Sequence, residues 1–211
     1  AEPSAVCGAM VMEMFEEAGV PPGVLNFLPG KGRVIGAHLV DHKDVDIIAF
    51  TGSREVGLRI WESAGQTRPG QLELKRVVCE MGGKNAVIVD SDADLDEAIV
   101  DSIYSAFGYQ GQKCSALSRL IVLDENYDRV IKRLVEAAAS LRVGNPEEPG
   151  ITVGPVIDET AYRRMQETIE AGNSEATLAF QGRDFPAEAY FIPPPIFTEV
   201  NPTRRLACDQ I

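Results

Sequence analysis

The sequence predicts an α/β protein built on parallel strands. Segments with apolar residues at helical spacing alternate with short apolar runs of strand length. Short connections containing glycine join them, as strand-to-helix turns require. The order in the N-terminal third of the chain is helix, strand, helix, strand, helix, which is how a parallel sheet with crossovers is written.

The elements follow in order. Residues 4–18 read as a helix that stops at Gly19 and the Pro21-Pro22-Gly23 break. VLNFLP (24–29) reads as a short buried strand, and GKGRVIGAHLVDH (30–42) as a glycine-rich turn leading into a helix. DIIAF (46–50) reads as a second buried strand, followed by a turn and helix in TGSREVGLRIWESAG (51–65). QTRPGQLELK (66–75) is a polar insertion. RVVCEMGGKNAVIVD (76–90) holds two β-rich pieces flanking Met81-Gly82-Gly83. Acidic residues open DADLDEAIVDSIYSAFG (92–108), which suits a helix N-terminus. SRLIVLD (118–124) reads as a strand, and ENYDRVIKRLVEAAASLRVG (125–144) as a long helix ending at Gly144. A loop leads to a helix over 160–172 and extended segments near 176–181 and 189–199.

Composition narrows the function. The chain has 211 residues, enough for one large domain or two small ones. No apolar run approaches the ~18–20 residues of a membrane span. The N-terminal segment lacks the basic start of a secretory signal, so a cytoplasmic location is expected. A net charge of −12 with no basic stripe argues against nucleic-acid binding. It leaves room for a phosphate-bearing cofactor, because helix N-terminal N–H groups hold phosphate without a cation. Cys7, Cys79, Cys114 and Cys208 form no CxxC, which argues against a zinc site and against a disulfide framework. His38 and His42 are the only histidines, and both read as surface or capping residues, so no metal is expected.

Three motifs could carry chemistry. Phe50-Thr51-Gly52-Ser53-Arg54-Glu55 follows an apolar strand and opens a helix. Gly52 lets a ligand approach the backbone and Ser53 adds a hydroxyl, as in a pyrophosphate cradle. A purely conformational glycine explains the same turn. Glu80 lies between two apolar strands, where a buried carboxylate is costly. It either pairs with Lys84 or Arg76 or serves as a base. Cys7, Cys79 and Cys208 fit simple packing. Cys114 instead sits in the polar stretch GYQGQKCSALSR beside Lys113, where a thiolate is favoured. A cysteine with a glutamate and no usable histidine allows attack on an aldehyde, with the base later activating water.

FTGSREVG, CEMGGKN and GQKCSA appear in that order. With EEAGVPPGVLNFLPG, PGQLELKRVVCEMGGKNAVIVDSDADLDEA, VGPVID and FIPPPIFTEV, they make the chain resemble the aldehyde dehydrogenase superfamily over essentially its whole length. The wording is closest to the 1-pyrroline-5-carboxylate (L-glutamate 5-semialdehyde) dehydrogenase branch. The resemblance implies an aldehyde-dehydrogenase-like α/β fold. Residues 1–79 would be the C-terminal part of an NAD-binding domain with a partial Rossmann-type parallel sheet. Residues 80–211 would be the N-terminal part of an α/β catalytic domain.

It also implies roles. Cys114 matches the nucleophile and Glu80 the base that hydrolyses the thioester. Gly52 and Ser53 match the turn at the cofactor pyrophosphate, Gly32 a glycine beside the adenine, and Glu2 an acid on the adenosine ribose that favours NAD. Ser115 matches a contact to the substrate carboxylate. Gln210 stands where a glutamate usually holds the nicotinamide ribose, and Pro194 where an acid is common. The implied reaction is NAD-dependent oxidation of L-glutamate 5-semialdehyde in proline degradation, by a homo-oligomeric parent. The family's ribose lysine and oxyanion-hole asparagine match no residue here. Losing one such donor costs about 10²–10³ in rate. An internal fragment without turnover of its own is therefore expected. A non-catalytic remnant of the fold, or an enzyme for another aldehyde, are the alternatives.

Overall fold

The computed structural model describes residues 2–210. The chain divides into two units, Ala1–Met81 and Gly82–Ile211. Glu80 belongs to the first unit.

The first unit opens with a 3-10 turn, Glu2–Ser4, and helix α1, Ala5–Glu17. A π turn, Gly32–Gly36, leads into the short helix α2, Ala37–Asp41. Strand β1, Ile47–Thr51, is joined by helix α3, Arg54–Ala64, to strand β2, Arg76–Glu80. The two strands pair in parallel, with Thr51 opposite Glu80. Both alternate between exposed and half-buried residues, so the fully buried strand expected at 46–50 is a half-covered one. The strand expected over 24–29 does not form. A strand needs a neighbour to take its N–H and C=O groups, and among the described residues this sheet contains β1 and β2 alone. Phe27 instead lies against Gly8, where an added Cβ would stand 2.7 Å from its ring.

Polar ties hold α2, α3 and the insertion together. Asp41 accepts hydrogen bonds from Ser63 Oγ and Arg68, each at 2.5 Å. Lys75 Nζ donates to the carbonyls of His42 and Val45. His42 Nδ1 accepts from the Asp44 N–H, a local cap as the sequence suggested.

The second unit repeats the strand–helix–strand scheme. Strand β3, Asn85–Val89, is followed by helix α4, Leu95–Phe107, and strand β4, Leu117–Val122, which pairs with β3 in parallel. Asp94 caps α4 by accepting from the Asp96 and Glu97 N–H groups. Helix α5, Asp124–Ala139, stops short of Gly144. Ser140 closes it by donating its N–H and its hydroxyl to the Ala137 carbonyl, and the Leu141 N–H caps that of Ala138. Helix α6, Glu159–Glu175, is capped by Asp158 and passes through Gly172, which the sequence suggested as its end. Phe197 lies so close to Gly172 that a Cβ would come within 2.7 Å of its ring. Gly172 thus makes room for a neighbour instead of ending the helix. Strand β5, Thr177–Gln181, pairs antiparallel with strand β6, Pro195–Thr198, and helix α7, Arg205–Cys208, follows.

The core of this unit joins Val89, Leu95, Ile99, Val130, Leu134, Ala138 and Ile196. These side chains come from β3, α4, α5 and β6, so one cluster binds the parallel pair to the antiparallel one. Buried Asn126 ties α5 to the turn after β3 by donating to the carbonyls of Asp90 and Ser91. Among the described residues, no helix is long and apolar enough to cross a membrane.

Two outcomes are expected. Leu134→Ala leaves a cavity in the core cluster and should cost ~2–5 kcal/mol, read as a lower urea midpoint. A loss below about 1 kcal/mol would show that this cluster does not hold the unit. The hydrogen bond from Ser63, and then that from Arg68, hold the Asp41 carboxyl below its ordinary value. A depressed carboxyl stabilises the fold above its unfolded pKa, and that contribution is lost as pH falls through the folded one. Amide exchange in α2 and α3 should therefore rise below about pH 4, and Asp41→Asn should remove that pH dependence.

Candidate active site

In the first unit, three of the candidate residues, Gly52, Ser53 and Glu80, gather where β1 and β2 end. The Gly52 N–H donates to the Glu80 carbonyl at 3.0 Å, so the turn after β1 is pinned to the last residue of β2. Ser53 caps α3, its Oγ accepting from the Val56 N–H at 3.4 Å. A Cβ on Gly52 would collide with the Phe50 ring. A side chain here would therefore displace the Phe50 ring. Gly57, in the first turns of α3, also has a close neighbour: Met81 Sδ stands 2.7 Å from the site of an added Cβ, which the Met81 side chain would have to vacate.

Glu80 departs from the expectation of a buried carboxylate. As the last residue of β2 it falls on an exposed position of the alternating pattern. Among the described residues it forms no ion pair with Arg76 of its own strand. Gly32 opens the π turn, and an added Cβ there would meet nothing within 4 Å. Glu2 begins the first 3-10 turn, and its side chain lies outside the described residues.

In the second unit, Cys114 lies in the loop that returns from α4 to β4. It is exposed and unbridged, as is Ser115 beside it. Cys7 and Cys208 are also exposed, where the sequence reading expected packing, and only Cys79 is half-buried. Exposure alone does not distinguish Cys114. The backbone around it does.

After α4 a 3-10 turn, Gly108–Gly111, takes the chain through three left-handed residues, Tyr109, Gln110 and Gly111, at φ 58°, 56° and 68°. Two of these carry side chains, for which this conformation is unfavourable. Side chains from several elements hold the loop in place. Gln110 and Gln112 reach the 154–157 segment. With its amide turned so that donors meet acceptors, the Gln110 oxygen accepts from the Gly154 N–H at 2.8 Å, and the Gln112 oxygen accepts from the Ile157 N–H at 3.1 Å. Ser105 Oγ accepts from the Leu117 N–H at 3.2 Å. Asn85 Nδ2 donates to the carbonyls of Cys114 at 2.8 Å and Ala116 at 3.0 Å.

Lys113, expected to act as a cation for the thiol, has its ammonium 5.3 Å above the centre of the Tyr104 ring. Lys84 is half-buried. Burial pushes its ammonium below the ordinary value, and Arg119 adds to the shift. Gln210 lies over Gly82, so closely that a Cβ there would overlap its amide.

Sequence reasoning missed Asn85, Gln110 and Gln112. Asn85 carried a signal, since asparagine is depleted in strands and here it opens one. The two glutamines gave none beyond their polarity, because their partners lie more than forty residues on in the chain.

The sequence profile of the aldehyde dehydrogenase family matches residues 1–211. A 1-pyrroline-5-carboxylate dehydrogenase of Anoxybacillus flavithermus is 48% identical over 200 residues, which are 95% of this chain and 39% of that one. Among solved structures, a 1-pyrroline-5-carboxylate dehydrogenase from Thermus with bound NAD matches with a TM-score of 0.94 and 48% identity. It covers 100% of this chain, which corresponds to 40% of the Thermus chain. Proline utilization A from Bdellovibrio bacteriovorus, inactivated by N-propargylglycine, matches with a TM-score of 0.94 and 51% identity, over 98% of this chain and 22% of that one. The chain thus spans well under half the length of the relatives it matches.

The left-handed turn makes one residue testable. Gly111→Ala would put a Cβ 2.9 Å from the Ala106 carbonyl at a φ of +68°. It should cost roughly 1–2 kcal/mol, measured as a lower melting temperature. No change would mean that the loop holds another conformation in solution.

Proposed function

The chain belongs to the aldehyde dehydrogenase family and has its fold, and on that premise we propose that it carries the nucleophile and the water-activating base of an NAD-dependent oxidation of L-glutamate 5-semialdehyde to glutamate. The names of the relatives support the substrate, since 1-pyrroline-5-carboxylate is the cyclised form of that aldehyde. The NAD bound to the Thermus relative supports the cofactor. The observation that carries the reading is an exposed cysteine whose backbone, rather than its side chain, is held by hydrogen bonds.

The chemistry follows from the residue types. Cys114 Sγ adds to the aldehyde carbon, which becomes tetrahedral with negative charge on its oxygen. NAD, when bound, supplies the hydride acceptor that leaves a thioester on Cys114. Glu80 then takes a proton from water, the resulting hydroxide attacks the thioester carbon, and glutamate leaves as Cys114 Sγ departs with the bonding pair, the thiolate that began the cycle, while Glu80 passes its proton to solvent. The exposed Glu80 carboxylate is accessible to water, as this role requires. Ser115, next to the nucleophile and exposed, is suited to the substrate carboxylate.

The residues present fit the cofactor. The capped N-terminus of α3 offers backbone N–H groups to a pyrophosphate, and Ser53 keeps its hydroxyl hydrogen free to donate. Gly32, which carries no side chain, lets a flat ring approach its backbone. The family resemblance assigns the nicotinamide ribose to Gln210 and the adenosine ribose to Glu2, an acid that would disfavour a 2′-phosphate.

The test is a thiol-labelling series on the chain with iodoacetamide, at about pH 6 to 9, with peptide mass mapping. It is run with and without NAD+, and repeated on Glu80→Gln. Cys114 should label roughly tenfold faster than Cys7 and Cys208, and NAD+ should change its rate alone. Equal labelling of all three, unmoved by NAD+, overturns the assignment.

A further inference from the structure

We propose that Asn85 is a positioning residue for Cys114, a two-pronged amide donor that fixes which way the 114–116 backbone faces. This rests on the reading of Cys114 as the nucleophile. The asparagine amide has two donor hydrogens, and both are used on the two carbonyls that flank Ser115. A trans peptide holds its C=O and N–H in one plane, pointing opposite ways. Drawing the Cys114 and Ala116 carbonyls toward Asn85 therefore turns the N–H groups of Ser115 and Leu117 to the other side. Ser105 receives the Leu117 N–H there. One side chain thus sets two peptide planes beside the thiol.

Asn85 is itself well anchored. It stands at the start of β3, opposite Leu117, at the irregularity where the β3–β4 register shifts. Its carbonyl accepts from Ser118 Oγ at 3.3 Å. Its amide oxygen lies 3.3 Å from where a Cβ on Gly83 would fall, so a side chain at 83 would crowd it. Arg119 fixes the preceding carbonyl by donating to Lys84 O at 2.6 Å. The amide is therefore aimed by its own backbone, and the loop conforms to it. Without it the Cys114 carbonyl is free to rotate toward its own thiol, with its negative end against a thiolate.

The experiment compares Asn85→Ala, Asn85→Ser and Asn85→Asp with the unmodified chain. Iodoacetamide rates of Cys114 are measured across the same pH range, with Cys7 and Cys208 as references in the same molecule. Asn85→Ala should slow Cys114 on the order of tenfold and change the shape of its pH–rate profile. The reference cysteines should be unmoved. Asn85→Ser, which keeps one donor, should recover some of the rate. Asn85→Asp, which faces both carbonyls with a carboxylate, should be slower than Asn85→Ala. A merely structural asparagine would lower the melting temperature without altering the Cys114 profile in the folded variant. If the unmodified Cys114 is distinct from Cys7 and Asn85→Ala leaves it so, positioning by Asn85 is overturned while the nucleophile reading stands. If the unmodified Cys114 already behaves like Cys7, both fall. Should Asn85→Ala not fold, Asn85→Ser decides, and an unchanged Cys114 rate there overturns the proposal.

Discussion

Two strands that run the same way cannot be joined by a hairpin, and that constraint organises both units. The connection must cross over, and here α3 carries it between β1 and β2 while α4 carries it between β3 and β4. Each parallel pair then has one edge where strands end and another where they begin. In the first unit the candidate residues sit where strands end, at Gly52, Ser53 and Glu80. In the second, Cys114 sits where β4 begins. These edges differ electrically. A turn leaving a strand opens onto a helix N-terminus, with N–H groups that lack partners. A loop re-entering a strand comes off a helix C-terminus, where carbonyls are the groups left over. An anion suits the first edge. At the second, the loop that follows brings its own carbonyls, those of Cys114 and Ala116, and the side chain of Asn85 supplies donors for them.

The same loop shows what such an arrangement costs. Tyr109 and Gln110 adopt a left-handed conformation at about 1–2 kcal/mol each. They have no glycine's freedom to soften it. The hydrogen bonds that Gln110, Gln112, Ser105 and Asn85 make contribute about 0.5–1.5 kcal/mol apiece, so the clamp offsets strain of its own order. Strain held this way gives one loop shape instead of many. For a residue meant to attack a carbon at a set angle, a single shape matters more than the stability it consumes.

Much of this was legible in the sequence, and the limits have physical causes. The βαβ units were readable because glycine turns and helix caps are local: Ser53 and Asp94 cap from within four residues of the N–H groups they serve. Asp158 does the same for α6. Cys114 stood out because its setting is polar. What failed depended on distant partners. VLNFLP has the composition of a strand, but a strand is made by its neighbour. Glu80 looked buried between apolar runs, yet period-two alternation put it on the open face. Gly144 and Gly172 looked like helix ends, but one follows a helix already closed at Ser140 and the other admits Phe197. The amide clamp around Cys114 was invisible because it joins residues across β3, α4 and the 154–157 segment.

The N-terminus of α3 raises a last question of compatibility. A helix start that already has a cap and an acidic first turn could be thought closed to an anion. Glu55 lies in that first turn, and an unpaired carboxylate there would repel phosphate. It is not unpaired. Arg59, one turn further along, binds it at 2.5 Å and neutralises it on the helix side. Exposed pairs of this kind add little stability, so its main consequence here is local charge. Ser53, for its part, accepts one N–H but keeps its own hydrogen. Capping and anion binding therefore use different atoms of the same turn. A residue can serve the fold and the ligand together when the fold takes its lone pair and the ligand takes its proton.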